Sequence, residues 1–266
     1  DIDKATLTAT LNAQNKIYDG NTSASVSYGD DRIGQDVLVI SGTATFNDKN
    51  AATGKTVTAN GLALTGTDAG NYELASTTAT TQADIDKATL TATITAQNKI
   101  YDGNNSASVS YGDDRIGQDV LVVSGTATFS DKNAGSNKTV IVNGLTLSGA
   151  DAGNYVLAAT TATDTADISK AQAIVTANSL NTVYNGQNQT VTGFTASGLV
   201  GGEDESVLTG VSTTGGQGKN AGRYAHTASG TDGNYDITFV AGQLEIDKAK
   251  ATVTANSNQV SYNGQN

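Results

Sequence analysis

From Ala5 to Leu11 the chain alternates strictly, with Ala5, Leu7, Ala9 and Leu11 on one face and Thr6, Thr8 and Thr10 on the other. A period of two is that of a strand with one buried side. Segments of the same character predict further strands over Ser23–Tyr28, Val37–Phe46, Lys55–Thr65 and Tyr72–Ile85. Asp19-Gly20 supplies a tight-turn signal between the first two strands. The stretch "GDDRIGQD" predicts one short helical turn, and no segment carries the three-to-four spacing of a long amphipathic helix. The pattern predicts an all-β protein.

The alternating strings recur. "DKATLTAT" stands at Asp3 and again at Asp86, a period of 83, and the two copies from there to Ile85 and Ile168 agree at 66 of 83 positions. A third, more diverged copy keeps the same order: Lys170 follows Lys87 by 83, Tyr184 follows Tyr101 by 83, and "KNAG" and "DGNY" return at Lys219 and Asp232. This divides the chain into modules at residues 1–85, 86–169 and 170–247, with 248–266 opening a fourth that stops after its first turn. A start at Asp1 and a stop inside a module are what an excerpt from a longer chain would give. The string "NKIYDGN" at Asn15 and Asn98 therefore marks a module and not a unique site.

Five strands and one turn in about 80 residues favour a small β-grasp-like sheet. The alternative is an immunoglobulin-like sandwich, which usually needs about seven strands in roughly 100 residues. At "ADIDKATL" one module passes into the next without a Gly/Ser linker, a joint that favours a rod.

Composition changes the picture in two ways. Leu, Ile, Val and Phe number 52 of 266, which predicts thin cores in which Tyr is the largest apolar body available, since Trp is absent. Cys and Met are also absent, which removes disulfides, thiolate metal sites and the side chains most easily oxidised, and suits an extracellular setting. Pro is missing too, leaving turns to Gly, Asn and Asp. The net charge of −11 is shared at −4 per complete module, a solubilising background that repels phosphate and excludes nucleic acid as a partner. No run of 18 apolar residues offers a membrane span.

Candidate chemistry is sparse. The single His226 lies in "GRYAHTASG", in the third module alone, and reads as a side chain on a strand surface. "ATGKT" at Ala52 resembles the tail of a phosphate loop, but the Gly required five positions before Gly54 is Lys49. Gly216, Gly218 and Ala221 fit a dinucleotide fingerprint without the following helix. The Asp-rich turns offer hard oxygens for Ca²⁺: Asp30, Asp31 and Asp36 in the first module, Asp113, Asp114 and Asp119 in the second. Their spacing is not that of an EF-hand loop, and the third module rewrites the stretch with Glu203, Asp204 and Glu205, so turn chemistry and no metal are expected. Tyr18, Tyr72, Tyr101, Tyr155, Tyr184 and Tyr235 are expected to serve structure, with stacking on sugars as the competing role. No catalytic residue and no cofactor are expected.

Taken in order, "KIYDGN", "SGTATFNDKNAATGKTVTANGLALTGTDAGNYEL", "VYNGQ", "GGEDESVLTG" and "DGNYDITFVAGQLEIDKA" resemble the YDG and MBG repeat families of large bacterial surface proteins. Many of those are secreted adhesins of the filamentous-haemagglutinin type. The resemblance covers essentially the whole chain, and the third module is more similar to the MBG type. It implies repeated, extracellular, non-enzymatic stalk modules whose partners are their neighbours in the chain, and it transfers no catalytic residue. Repeated modules that bind carbohydrate or protein by avidity are the alternative.

Overall fold

In the computed structural model, which describes residues 2–265, the Thr-alternating opening forms β1 (Ala5–Leu7) and β2 (Ala9–Ala13). The two are one strand interrupted at Thr8, whose N–H is taken by Asp31 Oδ1 at 2.7 Å instead of by a neighbouring strand. After the interruption the chain changes partner. β1 pairs in parallel with β7 (Tyr72–Leu74), and β2 pairs antiparallel with β4 (Val26–Asp30). Facing these two pairs, a four-stranded sheet has the order β3 (Lys16–Ile17), β8 (Thr78–Asp86), β6 (Ala52–Thr65) and β5 (Val39–Phe46). Leu7 and Tyr72 from the β1–β7 pair and Ile40, Phe46, Val57, Ala59, Ala83 and Ile85 from the four-stranded sheet meet in one buried core. Strand pairing thus follows the sandwich alternative. A grasp-like sheet would leave the β1–β2 segment inside one sheet, whereas here it forms a layer of its own across the core.

The second module repeats the elements as β9 (Ala88–Leu90), β10 (Ala92–Ala96), β11 (Lys99–Ile100), β12 (Val109–Asp113), β13 (Val122–Phe129), β14 (Gly135–Ser148), β15 (Tyr155–Leu157) and β16 (Thr161–Ser169). The interruption is repeated with it: Thr91 N–H donates to Asp114 Oδ1 at 2.7 Å. In the third module the equivalent strand, β17 (Ala171–Ala177), runs unbroken and forms a three-stranded sheet with β20 (Phe194–Ser197) and β24 (Tyr235–Val240). The facing sheet joins β18 (Leu180–Val183), β25 (Gly242–Asp247), β23 (Gly222–Gly230) and β21 (Val211–Gly215), while β19 (Gln189–Thr190) pairs with β22 (Gln217–Gly218).

The chain divides into two compact units, and the division falls inside the second module. One unit comprises Asp1–Gln97, Ser106–Ser130 and Thr139–Thr165, and its core runs from the first module into Ala88, Leu90, Leu121, Val123, Val142, Leu145 and Tyr155. The other comprises Asn98–Asn105, Asp131–Lys138 and Ala166–Asn266, with Val191, Leu244 and Ile246 at its centre. Each unit thus contains one complete passage between consecutive modules.

Among the described residues there is no α-helix, and no helix is long and apolar enough to cross a membrane. In "GDDRIGQD" the expected helical turn is replaced by a single tight turn, the Asp36 N–H donating to the Ile33 carbonyl at 3.4 Å with Gly34 at φ +61°. Arg32 ties the loop across, donating to both carboxylate oxygens of Asp30 at 2.7 and 2.5 Å and to the carbonyls of Asp36 and Leu38. One-turn 3₁₀ segments occur at Ala69–Asn71 and Ala152–Asn154, immediately before Tyr72 and Tyr155, and at Glu205–Val207 in the third module. His226 is not on a strand surface: it is 1% exposed on β23, with Nδ1 2.8 Å from the Asn178 carbonyl. Gly216 makes room for it, since a Cβ there would lie 3.0 Å from the His226 ring. Residues 248–265 form no strand. In the three complete modules this opening segment is paired by strands from later in the same module.

Candidate functional site

The repeated strings meet at the passage from one module to the next. Strand β8 ends at Asp86 and β9 begins at Ala88, so one residue, Lys87, separates the modules. Tyr18, just after β3, is fixed on that passage because its N–H donates to the Asp86 carbonyl at 2.8 Å. Its hydroxyl donates to Asp119 Oδ2 at 2.8 Å, on the loop between β12 and β13 of the next module. Tyr155, aimed by the 3₁₀ turn before it, donates to the same oxygen at 2.7 Å and accepts from the Ile116 N–H at 2.9 Å. Lys49, on the loop between β5 and β6, reaches Asp119 Oδ1 at 3.0 Å and Asp151 at 3.6 Å. The two tyrosine rings stand edge to face, 5.5 Å between centroids. Beside them, Asn154 Oδ1 accepts the Ala51 N–H at 2.9 Å. One carboxylate therefore collects two hydroxyls and an ammonium from both sides of the joint.

The second unit contains the same constellation with one substitution. Tyr101 and Tyr235 donate to the two oxygens of Glu203 at 2.6 and 2.7 Å, and Lys132 reaches it at 3.1 Å. The rings are again 5.5 Å apart and edge to face, and Asn234 Oδ1 accepts the Ala134 N–H at 2.9 Å. Glu203 occupies the position of Asp119, in the loop that the third module rewrites. Asp-Gly in the YDG turn has its own part: a Cβ on Gly20 would lie 3.2 Å from Ile116, and Gly20 holds φ at +79°, a conformation that favours glycine.

Burial and hydrogen bonding set the electrostatics. Asp119 is 7% exposed. Burial opposes its ionisation, but the hydrogen bonds from Tyr155, Tyr18 and Lys49 outweigh it and hold its carboxyl below the usual range. Burial, then the bond to the Asp119 carboxylate, pushes Tyr155 up to about 12. Tyr235 is likewise pushed up to about 12, by burial first. A tyrosine with a raised folded pKa contributes stability that is complete below its unfolded value of about 10 and is lost as pH rises through about 12. A carboxyl with a lowered folded pKa contributes stability present above about pH 4 and lost as pH falls through its lowered value. Stability is thus expected to be flat from about pH 5 to 9 and to fall between about pH 10 and 12. Tyrosinate absorbance followed with circular dichroism checks this: Tyr155 and Tyr235 should ionise only as structure is lost, and ionisation of all ten tyrosines near pH 10 with the fold intact would contradict it.

Among the sequence-predicted residues, Tyr18 and Tyr101 are 2% exposed, Tyr72 and Tyr155 4%, and Tyr235 2%. Tyr184 departs from a structural role in a core, being 41% exposed. The six aspartates do not converge. Asp30 and Asp113 each bind a neighbouring arginine, Asp31 and Asp114 each cap a strand interruption, Asp36 accepts from Tyr72, and Asp119 anchors the joint. No group of three metal-ligating side chains is present among the described residues. Lys49, Lys132, Asn154 and Asn234 were not among the candidates, and Glu203 was weighed only as part of a rewritten acidic loop. The signal for the first four stands in the repeated "DKNA" and "GNY" strings, whose polar residues recur without any local turn that needs them all.

Comparison with known proteins places this geometry. The YDG domain model matches residues 3–80 and 86–163, and that of the MBG domain (YGX type) matches 173–245. Both are repeat modules typical of surface adhesin-like proteins. No curated protein matches the chain. Among solved structures, the protocadherin GammaB4 extracellular domain aligns at 10% identity and TM-score 0.25, covering 92% of this chain, which spans 51% of that one. Mouse cadherin-23 EC22-24 aligns at 11% identity and TM-score 0.23, covering 91% of this chain and 99% of its own, and Drosophila N-cadherin EC1-3 at 8% and 0.20, covering 89% and 98%. At such scores these alignments carry no argument. The family matches do, and they cover both joint-forming partners of each joint: the chain belongs to the YDG domain family, with an MBG domain of the YGX type as its third module.

Proposed function

We propose that the chain is a run of non-enzymatic spacer modules of a bacterial surface or secreted adhesin, lying outside the cell and holding an adhesive tip away from it. The observation that carries this reading is that the most repeated residues of the modules, the YDG tyrosine, the Lys-Asn pair and the GNY corner, are spent on the joint between modules. A linker that must only connect needs no such anchor, whereas a spacer that transmits force needs each module fixed on the next. The same spending weighs against catalysis and against glycan stacking, because the joint tyrosines and carboxylates are turned on each other. The partners are then neighbouring modules, with host or matrix glycan or protein bound by parts beyond this sequence. The net charge of −11 argues against nucleic acid. Small-angle scattering tests the reading: the radius of gyration should stand well above the roughly 18 Å of a compact 266-residue chain. It should change when a Gly-Ser linker is inserted after Asp86. A value near that of a compact chain would overturn it.

A further inference from the structure

Consecutive modules follow one another directly, so tension along the chain enters the first module at β1 and leaves it at the end of β8. Parallel pairs hold the entering and leaving segments together: β1 runs beside β7, and in β3 and β8 Lys16 pairs with Ile85 and Ile17 with Asp86. A parallel pair pulled by the N-terminal end of one strand and the C-terminal end of the other slides in shear, and its evenly spaced hydrogen bonds share the load. An antiparallel pair loaded at the same two ends would peel open one bond at a time. The length of parallel pairing therefore sets how hard a module resists a pull.

That length differs between modules. In the third, β17 pairs in parallel with β24 over six residues and β18 with β25 over four, against three and two in the first module. The second module repeats the short version, three pairs between β9 and β15 and two between β11 and β16. The acidic loop supplies the difference in the first strand. Asp31 takes the Thr8 N–H where the pairing ends at Leu7, and Asp114 does the same at Thr91. Two periods of 83 on, Ile174 and Ser197 stand at the positions of Thr8 and Asp31. Ser197 pairs with Ile174 as strand, and Ile174 continues the parallel run by pairing with Thr238. Ala171, Ala173, Val175 and Ala177 are buried along the whole inner face of that strand.

We propose that the modules yield to tension in a set order, the two YDG modules opening while the MBG module holds, with the strand interruptions at Asp31 and Asp114 as the built-in weak points. The order deepens the spacer reading and rests on it for the source of the tension. An opened YDG module adds roughly 250 Å of slack from its 83 residues, so a sudden pull is absorbed before the more resistant module is reached. Resistance to a pull is governed by the unfolding rate and not by equilibrium stability, so the order is independent of how the modules rank in denaturant.

Single-molecule pulling of the whole chain from its two ends tests the order. About 20 Gly/Ser residues inserted after Gln187, in an exposed turn of the third module, lengthen its release by about 70 Å and so identify it. The two shorter releases should come first and the lengthened one last, at roughly twice the force, in step with its paired residues. A staple marks the other side of the order. The chain has no cysteine, and Thr6 and Glu73 are exposed register partners on β1 and β7. Thr6→Cys with Glu73→Cys can therefore be oxidised across the first module's parallel pair, at a strand spacing of about 4.8 Å. With closure established by thiol titration, oxidation should remove one low-force release and reductant should restore it. The proposal would be overturned by a lengthened release that comes first or at the same force as the others, or by a closed staple that spares the low-force releases. Either variant alone decides, since each marks a different module. If the order fails while scattering still shows an extended chain, the spacer reading stands; a compact chain removes that reading whatever the order of release.

Discussion

Tyr155→Ala is expected to destabilise its unit by about 4 kcal/mol and Tyr72→Ala by about 3 kcal/mol, within the range for removing a large ring from a core. Both rings are 4% exposed and both begin a strand after a one-turn 3₁₀ segment, so the transfer and cavity contributions are alike. What separates them is the joint: Tyr155 stands 5.5 Å from the Tyr18 ring and shares its carboxylate, whereas Tyr72 faces no second tyrosine among the described residues. Urea unfolding checks the pair, with coincidence of independent probes establishing that a single transition is being read. A loss below about 0.5 kcal/mol for either variant would mean that the ring does not support a core. Equal losses for both would remove the joint's share.

The alternation in "ATLTATL" made the first strand legible, yet its division at Thr8 was not, because the cause is a side chain 23 residues away, Asp31, taking one N–H. Strand boundaries failed in the same way over Tyr72–Ile85, where the chain leaves one sheet after Leu74 and enters the other at Thr78. An apolar pattern of period two reports which face is buried, not which sheet owns the strand. The aspartates show the reverse case. Three acidic residues in each of two similar loops offered oxygens for an ion, with turn chemistry as the expected role; "DDR" and "GQD" place them on different partners: an arginine two residues on, a strand N–H, and a tyrosine corner. The joint was written in the sequence as repetition without local purpose, and only the fold brings together residues 18, 49, 119 and 155.

Asp119→Ala should be as damaging at the joint as Tyr155→Ala, costing about 3–5 kcal/mol, because it leaves a buried tyrosine pair without its acceptor and Lys49 with only Asp151, at 3.6 Å. The magnitude follows from what remains, not from what is lost. Each of the three donors exchanged water for Asp119 on folding, and after truncation Tyr18 and Tyr155 stay behind at 2% and 4% exposure with no replacement close by. Asp36→Ala supplies the internal control, since it removes the same side chain from the same loop but strands one donor only, Tyr72, and should cost about 1–2 kcal/mol. Asp119→Asn keeps the shape and one acceptor oxygen while cancelling the charge, and belongs between the two. Stability alone does not localise the damage, so the Ala51 amide provides the second readout: its proton is held by Asn154 across the joint at 2.9 Å, and its exchange should quicken in Asp119→Ala and not in Asp36→Ala. If the two alanine variants lose the same stability and leave Ala51 exchange alike, the carboxylate is not the anchor, and the joint rests on the ring pair and the Asn154 bond.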